Sequence, residues 1–406
     1  MKEIQGGVTA AKGYKATGGA IGIKEGIKDM AILVSEVSAT AVGAFTTNVV
    51  KATSVLRNME LMEQKQQIKG IVINSGNANA CTGIEGEKAN QEMAETLADC
   101  LKVGQEQILT ASTGVIGATF PIEKVKNGIH LLFPKLGKTL EDGHLAAEGI
   151  MTTDTYSKEV AVALEIGGKT VTIGGMAKGS GMIHPNMATM LAFITSDVCI
   201  KRELLDEILK ESIQTSYNMV SVDGDTSTND TVIVLANGMA GNAEITQKNA
   251  DYEALKQALH FVNTKLAKDL VRDGEGATKF IEVHVSGAKT QQDAKTIAKS
   301  VVTSNLVKTA MYGEDANWGR VLCAMGYSSI NFDTKKVDII YHSAKGSIDL
   351  MIQGSPIVFD EQKALEILKE KEITVEIRIQ EGIEKATAWG CDLSHEYVSI
   401  NGDYRS

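Results

Sequence analysis

Thr189 stands where a hydroxyl could become a nucleophile. It follows the segment GGMAKGSGMIHPNMA (174–188), which holds four glycines and one proline, and it opens the apolar run TMLAFIT. A threonine hydroxyl is a weak nucleophile until a base takes its proton. One such base is the residue's own α-amino group, exposed by cutting the preceding peptide bond. An α-amine has a pKa of about 7.7–8.0 against about 10.4 for a lysine, so it is partly unprotonated at working pH. The same hydroxyl can make the cut, by attacking the Ala188 carbonyl to give an ester that water hydrolyses. Gly179 and Gly181 permit the tight turn this attack requires, and Ala188 leaves the carbonyl sterically open. A plainer account also exists, because Thr favours strands and Gly favours loops. Taken alone, the residue types favour the plainer account.

Other constellations fail on spacing. GGKT (167–170) is reminiscent of a phosphate loop, but that motif needs glycine at 163, which is Ala163. DGDTSTND (223–230) resembles a calcium loop, yet Thr228 occupies the place of the invariant glycine and Val234 that of the bidentate glutamate. The seven histidines show no HExxH or other ligand spacing, so no metal is expected. His184, close before Thr189, is a candidate base, though its neighbour Pro185 and loop setting favour a structural or processing role. Five scattered cysteines without a CxxC pair argue against a disulfide framework or zinc site, and a cytoplasmic location is expected. A formal charge of −10 disfavours nucleic acid as the main partner. The N-terminus lacks the apolar core of a signal peptide, and no run approaches the roughly 20 apolar residues of a membrane span.

Helix-like and strand-like segments alternate along the 406 residues, which gives an α/β (α+β) class and room for more than one domain. Helices are expected at 85–102, at 202–217 where Leu204, Leu205, Ile208, Leu209 and Ile213 build one apolar face, and at 251–270, 290–311 and 360–371. VAVALEI (160–166) and TVTI (170–173) read as a hairpin turned by Gly167 and Gly168. Further strands are expected at 70–74, 189–196, 231–235, 280–285, 337–341, 373–379 and 396–400, with 174–188 an irregular loop.

KGSGMIHPNMATMLAFITSD (178–197) resembles the processing site of the ornithine acetyltransferase, or glutamate N-acetyltransferase, family. The same resemblance runs through GGVTAAKGYKATG (6–18), NSGNANACTG (74–83), TASTGVIG (110–117), TTDTYSK (152–158), SVDGDTSTNDTV (221–232), DGEGATKF (273–280), VKTAMYGEDANWGR (307–320) and NGDYRS (401–406). Departures are small: Ala11 where Pro is expected, Gly402 where Ala is usual, and Ser406 where many members end in Thr.

The resemblance implies self-cleavage between Ala188 and Thr189 and an acetyl-Thr189 intermediate in a ping-pong transfer from N-acetylornithine to glutamate, within arginine biosynthesis. It assigns the oxyanion hole to Thr113 and Gly114, and substrate contacts to Thr153, Lys178, Thr189, Glu275, Asn401 and Ser406. Without it, Lys178 would be an ordinary surface lysine, Glu275 an exposed loop carboxylate, and 401–406 a frayed tail. No dissociable cofactor is needed. Some members also accept acetyl-CoA as donor, and no segment reports a CoA site. A layered helix–sheet main domain of the N-terminal-nucleophile type (1–280) and a smaller C-terminal α/β domain (281–406) are implied. So is assembly of the products 1–188 and 189–406 as two copies of each chain. The rivals are a self-processing aminopeptidase or amidase, with water as acceptor, and an unprocessed binding protein on the same scaffold.

Overall fold

The computed structural model describes residues 1–184 and 190–403. The strands, in chain order, are β1 Lys2–Ile4, β2 Tyr14–Gly19, β3 Met30–Phe45, β4 Ile68–Asn77, β5 Ile108–Val115, β6 Lys158–Ile166, β7 Lys169–Lys178, β8 Leu191–Ser196, β9 Val220–Ser221, β10 Thr231–Ala236, β11 Phe280–Ala288, β12 Asp338–Ser343, β13 Gly346–Ile352, β14 Ser355–Pro356, β15 Glu372–Arg378 and β16 Glu384–Cys391. The helices are α1 Thr53–Glu63, α2 Gly83–Leu101, α3 Ile122–Leu132, α4 Leu140–Gly149, α5 Arg202–Thr215, α6 Ala250–Arg272, α7 Gln291–Thr303, α8 Asn305–Tyr312, α9 Trp318–Gly326, α10 Glu361–Leu368 and α11 His395–Gly402. Among the described residues, no helix is long and apolar enough to cross a membrane.

Two compact units emerge. The first holds Met1–Gly179, 190–218 and Thr226–Leu270; the second holds Ser180–His184, Met219–Asp225 and the chain from Val271. Residues 271–280, assigned to the main domain on sequence grounds, fall in this second unit, where they lead into its central strand β11.

The first unit is built on a nine-stranded sheet in the order β1-β6-β7-β8-β10-β3-β4-β5, with β2 also paired to β3. Strand β3 serves two halves: Thr40–Phe45 pair with β10, Met30–Ser35 with β2, and Met30–Val34 with β4, across a register shift between Val34 and Ala39. Leu33, Ile71 and Ile73 from one half share a core cluster with Met176, Phe193 and Ile233 from the other. Val72 and Ile108 face the opposite way and pack with Met93 and Leu97 of α2 and Ile129 of α3. Strands β8 and β10 run parallel and are buried throughout, as the continuous apolar runs LAFIT and TVIVLA require.

The expected hairpin is present. Ile166 pairs with Lys169, and Gly167 (φ 55°) and Gly168 (φ 72°) form the two-residue turn, a conformation costly for side-chain-bearing residues. Residues 174–178, expected to be irregular, instead complete β7. Glycine is required there for packing: a Cβ on Gly174 would lie 1.9 Å from the Gly7 carbonyl oxygen.

The second unit carries a seven-stranded sheet ordered β14-β13-β12-β15-β11-β16-β9. Helix α7 supplies Ala294, Ile297, Ala298, Val301 and Val302 to its core. The expected helix 290–311 is two helices: Ser304 ends α7 and its side chain caps α8 through the Val307 N–H. The expected strand at 396–400 is the helix α11, started by Ser394, whose Oγ accepts from the Tyr397 N–H.

Candidate active site

In the first unit the oxyanion candidates close β5. Gly114 has φ 128°, and a Cβ there would lie 2.3 Å from the Gly76 carbonyl carbon and 2.6 Å from the Asn77 nitrogen on the parallel neighbour β4. Glycine is therefore obligatory, because only a residue without a side chain lets β4 approach this closely. Thr113 is half-buried, and Lys178 Nζ lies 3.5 Å from its Oγ1.

Lys178, far from being a solvated surface lysine, is only 6% exposed at the end of β7. Its charge is balanced by Asp154, in the turn segment between α4 and β6. Asp154 accepts from Lys158 Nζ at 2.7 Å, from the Gly179 N–H at 2.7 Å and from the Thr152 N–H at 2.9 Å. The Asp154 and Lys158 side chains are fully buried. Burial alone would raise the Asp154 pKa, but Lys178, Lys158 and the Gly179 N–H outweigh it and hold the carboxyl well below its ordinary value. Lys24, whose Nζ donates to the Met151 carbonyl at 2.7 Å, has its pKa lowered by burial, with the Lys178 charge adding to the effect. Thr153, the neighbour of Asp154, is half-buried in the same segment.

In the second unit Glu275 and Asn401 meet. Asn401 Nδ2 donates to Glu275 Oε2 at 2.7 Å and to the Tyr397 carbonyl at 3.0 Å. Glu275 is 7% exposed rather than an open loop carboxylate, and its N–H donates to the Ser180 carbonyl at 2.8 Å. Gly276, beside Glu275, and Gly181 both lie close against this pair. A Cβ on Gly276 (φ 66°) would strike the Tyr397 nitrogen at 2.5 Å, and one on Gly181 would strike the Glu275 carboxyl carbon at 2.3 Å.

Asp223, from the segment that resembles a calcium loop, is spent on backbone. It accepts from the N–H groups of Met182 (2.5 Å), Ile183 (2.9 Å) and Asp225 (3.2 Å), while the Tyr397 hydroxyl donates to it at 3.3 Å. Met182 has φ 55°, so this carboxyl fixes an unfavourable bend just before the Ala188–Thr189 bond in sequence. His184 Nδ1 lies 3.1 Å from Ser221 Oγ, and burial with the Lys299 charge pushes its pKa down to about 4. It is therefore neutral at pH 7.

Ala188, Thr189 and Ser406 lie outside the described residues. Among the described residues no group of three or more His, Cys, Asp or Glu could hold a metal ion. Sequence reasoning did not single out Asp154, Lys158 or Asp223. For Asp154 a signal existed, an acid four residues before a lysine inside TTDTYSK, but nothing in the sequence announced that both would be buried.

Comparisons with known proteins place the chain in a family. A family model described as the ArgJ family matches residues 15–406. The arginine biosynthesis bifunctional protein ArgJ of Caldanaerobacter subterraneus subsp. tengcongensis is 50% identical over 406 residues, all of both chains. That of Thermotoga neapolitana is 50% identical over 396 residues, covering 97% of this chain and 99% of its own. A solved chain of the arginine biosynthesis bifunctional protein ArgJ from Bacillus halodurans matches with TM-score 0.50 and 41% identity, covering 52% of this chain and 98% of that one. The chain thus belongs to the ArgJ family and is an enzyme of arginine biosynthesis.

Proposed function

We propose that the chain cuts itself between Ala188 and Thr189 and then carries acetyl on Thr189 from N2-acetylornithine to glutamate. In the first half-reaction the Thr189 hydroxyl, deprotonated by its own α-amine, attacks the acetyl carbonyl, and ornithine leaves. In the second, the glutamate amine takes the acetyl group from the ester. Both tetrahedral intermediates place an oxyanion at the Thr113 hydroxyl and the Gly114 N–H, donors fixed in place before the charge develops. Lys178 supplies a buried cation beside them for an anionic group. In the second unit Glu275 and Asn401 offer a carboxylate and an amide for an amino-acid end, with Thr153 and Ser406 as further substrate contacts. No cofactor is needed, and acetyl-CoA is an optional second donor. The proposed assembly is a cytoplasmic heterotetramer of two copies of each product.

The observation that carries this reading is the conjunction at the end of β5. There Gly114 has no room for a side chain, and the buried Lys178 reaches Thr113 at 3.5 Å. The solved Bacillus halodurans chain adds support: it is covered to 98% yet matches 52% of this sequence, about the length one product of the cut would have.

The test is the denatured mass of freshly purified protein, followed by product analysis with acetylornithine plus glutamate or plus water alone. Two masses matching 1–188 and 189–406, with acetylglutamate formed, support the reading. A persistent single full-length mass ends it. Two masses with acetate as product make the enzyme a hydrolase instead.

A further inference from the structure

The family resemblance assigns Lys24 no role, yet its loop is built to hold it in one place. The loop runs from β2 to β3 and winds around one buried carboxyl. Asp29, fully shielded from water, accepts from the N–H groups of Ile21 (2.6 Å), Ile23 (2.6 Å) and Lys24 (2.8 Å). Bonds from three neighbouring N–H groups to one carboxylate are strong and fix the path of the backbone. The loop is also tied to β4, because the Ser75 N–H donates to the Asp29 carbonyl at 2.9 Å.

The half-buried Lys24 side chain reaches two parts of the site. Its stem lies against β4: a Cβ on Gly76 (φ 95°) would lie 2.9 Å from Lys24 Cγ. Gly76 in turn backs Gly114, whose own Cβ would lie 2.3 Å from the Gly76 carbonyl carbon. Two glycines stacked in this way bring the lysine stem close to the oxyanion strand. At its other end, Lys24 Nζ donates to the Met151 carbonyl at 2.7 Å. Met151 opens the segment 151–154, and Asp154 pins the far end by accepting from the Thr152 N–H at 2.9 Å and the Gly179 N–H at 2.7 Å. Thr153 sits between these two anchors. Lys24 thus ties the segment that carries Thr153 to the strand pair that carries Gly114.

A plainer account is that the cation stabilises the C-terminal end of α4, which closes at Gly149. Two observations weigh against that as the whole purpose. Burial and the Lys178 charge disfavour a cation here and outweigh the attraction of Asp29 and Asp154. The stem also fills the space that a side chain at position 76 would need, a fit that a capping charge does not require.

We infer that Lys24 is a positioning residue for acetyl transfer: its ammonium holds the Met151 carbonyl, and through it Thr153, in register with the oxyanion strand at Gly114. This role rests on the reading that Thr153 meets substrate and Gly114 the oxyanion. Lys24 fixes the distance between them. A misplacement of about 1 Å can cost about 10²-fold in rate, so the loss of such a tether is visible in turnover.

The experiment is a double-mutant cycle on the protein as it is produced, with acetylornithine and glutamate as substrates and a thermal melt of every variant. Lys24→Met keeps an unbranched stem against Gly76 and removes the ammonium. Thr153→Ala, the pair together, and Lys24→Arg complete the set. Expected for Lys24→Met is a loss of about 10–100-fold in kcat/KM, falling in the same parameter, kcat or KM, as the loss in Thr153→Ala. Lys24→Arg should recover part of it. The double variant should be little worse than Thr153→Ala alone, because Lys24 acts through Thr153. Wild-type turnover in Lys24→Met, whatever its melting temperature, would leave Lys24 a helix-capping residue and overturn the inference. Losses that multiply in the double variant would overturn it too. Wild-type turnover in Thr153→Ala would instead remove Thr153 from the site, and the underlying reading would fall together with the tether. Should Lys24→Met fail to fold, Lys24→Gln, whose amide stops short of the Met151 carbonyl, takes its place in the cycle. Wild-type turnover or a multiplying loss in that variant overturns the inference.

Discussion

The candidate-site charges of the two units are secured in different ways. In the first, Lys178, Asp154 and Lys158 form a web sealed from water, with the Asp154 and Lys158 side chains fully buried. In the second, Glu275 is fixed by Asn401 on α11, an eight-residue helix with no buried residues near the chain end. A sealed web has one low-energy arrangement, because each charge is tolerable only while its partner is present. A contact made by an exposed terminal helix has little holding it besides the hydrogen bonds themselves. The first arrangement suits a rigid oxyanion platform, which must not reorganise as charge develops. The second suits a contact that adapts to two substrates, one ending in an amine and the other in a carboxylate.

The largest effect is expected where the sealed web is broken. Asp154→Asn leaves Lys158 and Lys178 without their anion and should cost about 3–5 kcal/mol of stability, read from denaturant unfolding. Adding Lys158→Met should restore part of that loss, because the double variant removes the uncompensated charge. If Asp154→Asn alone unfolds like wild type, the web does not hold the platform and the contrast between the units disappears.

Thr113→Val tests the platform with the Asp154–Lys158 pair left intact, taking from Lys178 only the hydroxyl 3.5 Å away. It removes one oxyanion donor while keeping a β-branched shape in a strand, so stability should be almost unchanged. The rate of acetyl transfer should fall about 10²–10³-fold, or about 2.7–4 kcal/mol. Equal losses in kcat and kcat/KM would place the hydroxyl in the transition state, whereas a rise in KM alone would make it a substrate contact.

The second unit should respond more gently. Asn401→Ala removes one hydrogen bond to a charged group, about 1.5–3 kcal/mol at most, and its partial exposure argues for the lower end. The expected result is a raised KM with a stability loss of no more than about 1.5 kcal/mol. Extending the chain beyond Ser406 should likewise impair turnover more than an N-terminal tag does. Equal activity of the two tagged forms would remove the C-terminal segment from the site.

These contrasts explain what the sequence revealed and what it hid. Segments with one clear period were legible: the alternating 160–173 hairpin and the helical 202–217 face both depend on local pattern alone. EYVSI (396–400) reads as a strand because a short run with β-branched members fits a strand as well as a helix. The residue that decides it, the cap Ser394, lies outside the run. In residues 174–178 glycine signals a loop, whereas at Gly174 it serves close packing against Gly7. In the site, Lys178 and Glu275 were reached through family resemblance, since residue type and loop position suggest exposure. Their burial, and the partners Asp154 and Ser180, arise from chain segments brought together by folding, which no local pattern encodes.

The smallest effect concerns His184 and sharpens the contrast from the acid side. Its folded pKa, about 4, lies below the ordinary histidine value of about 6.5 because burial and Lys299 disfavour the charged ring. A depressed folded pKa means that the unfolded chain takes up a proton first as pH falls. The stabilisation is therefore complete above about pH 6.5 and is lost progressively between there and pH 4. Because the ring is part-exposed, screening reduces the effect to the order of 1 kcal/mol. Replacing it by asparagine, which keeps a polar group near Ser221 but cannot take the proton, should flatten stability over that window and leave it unaltered at pH 8. Thermal melts at pH 5 and pH 8 would show the difference as a shift of about 2 °C. The same shift at both pH values would mean that the ring contributes packing and its hydrogen bond to Ser221, not its titration. Asp223 could not supply the loss instead: burial raises its carboxyl pKa, so taking up a proton as pH falls favours the folded chain.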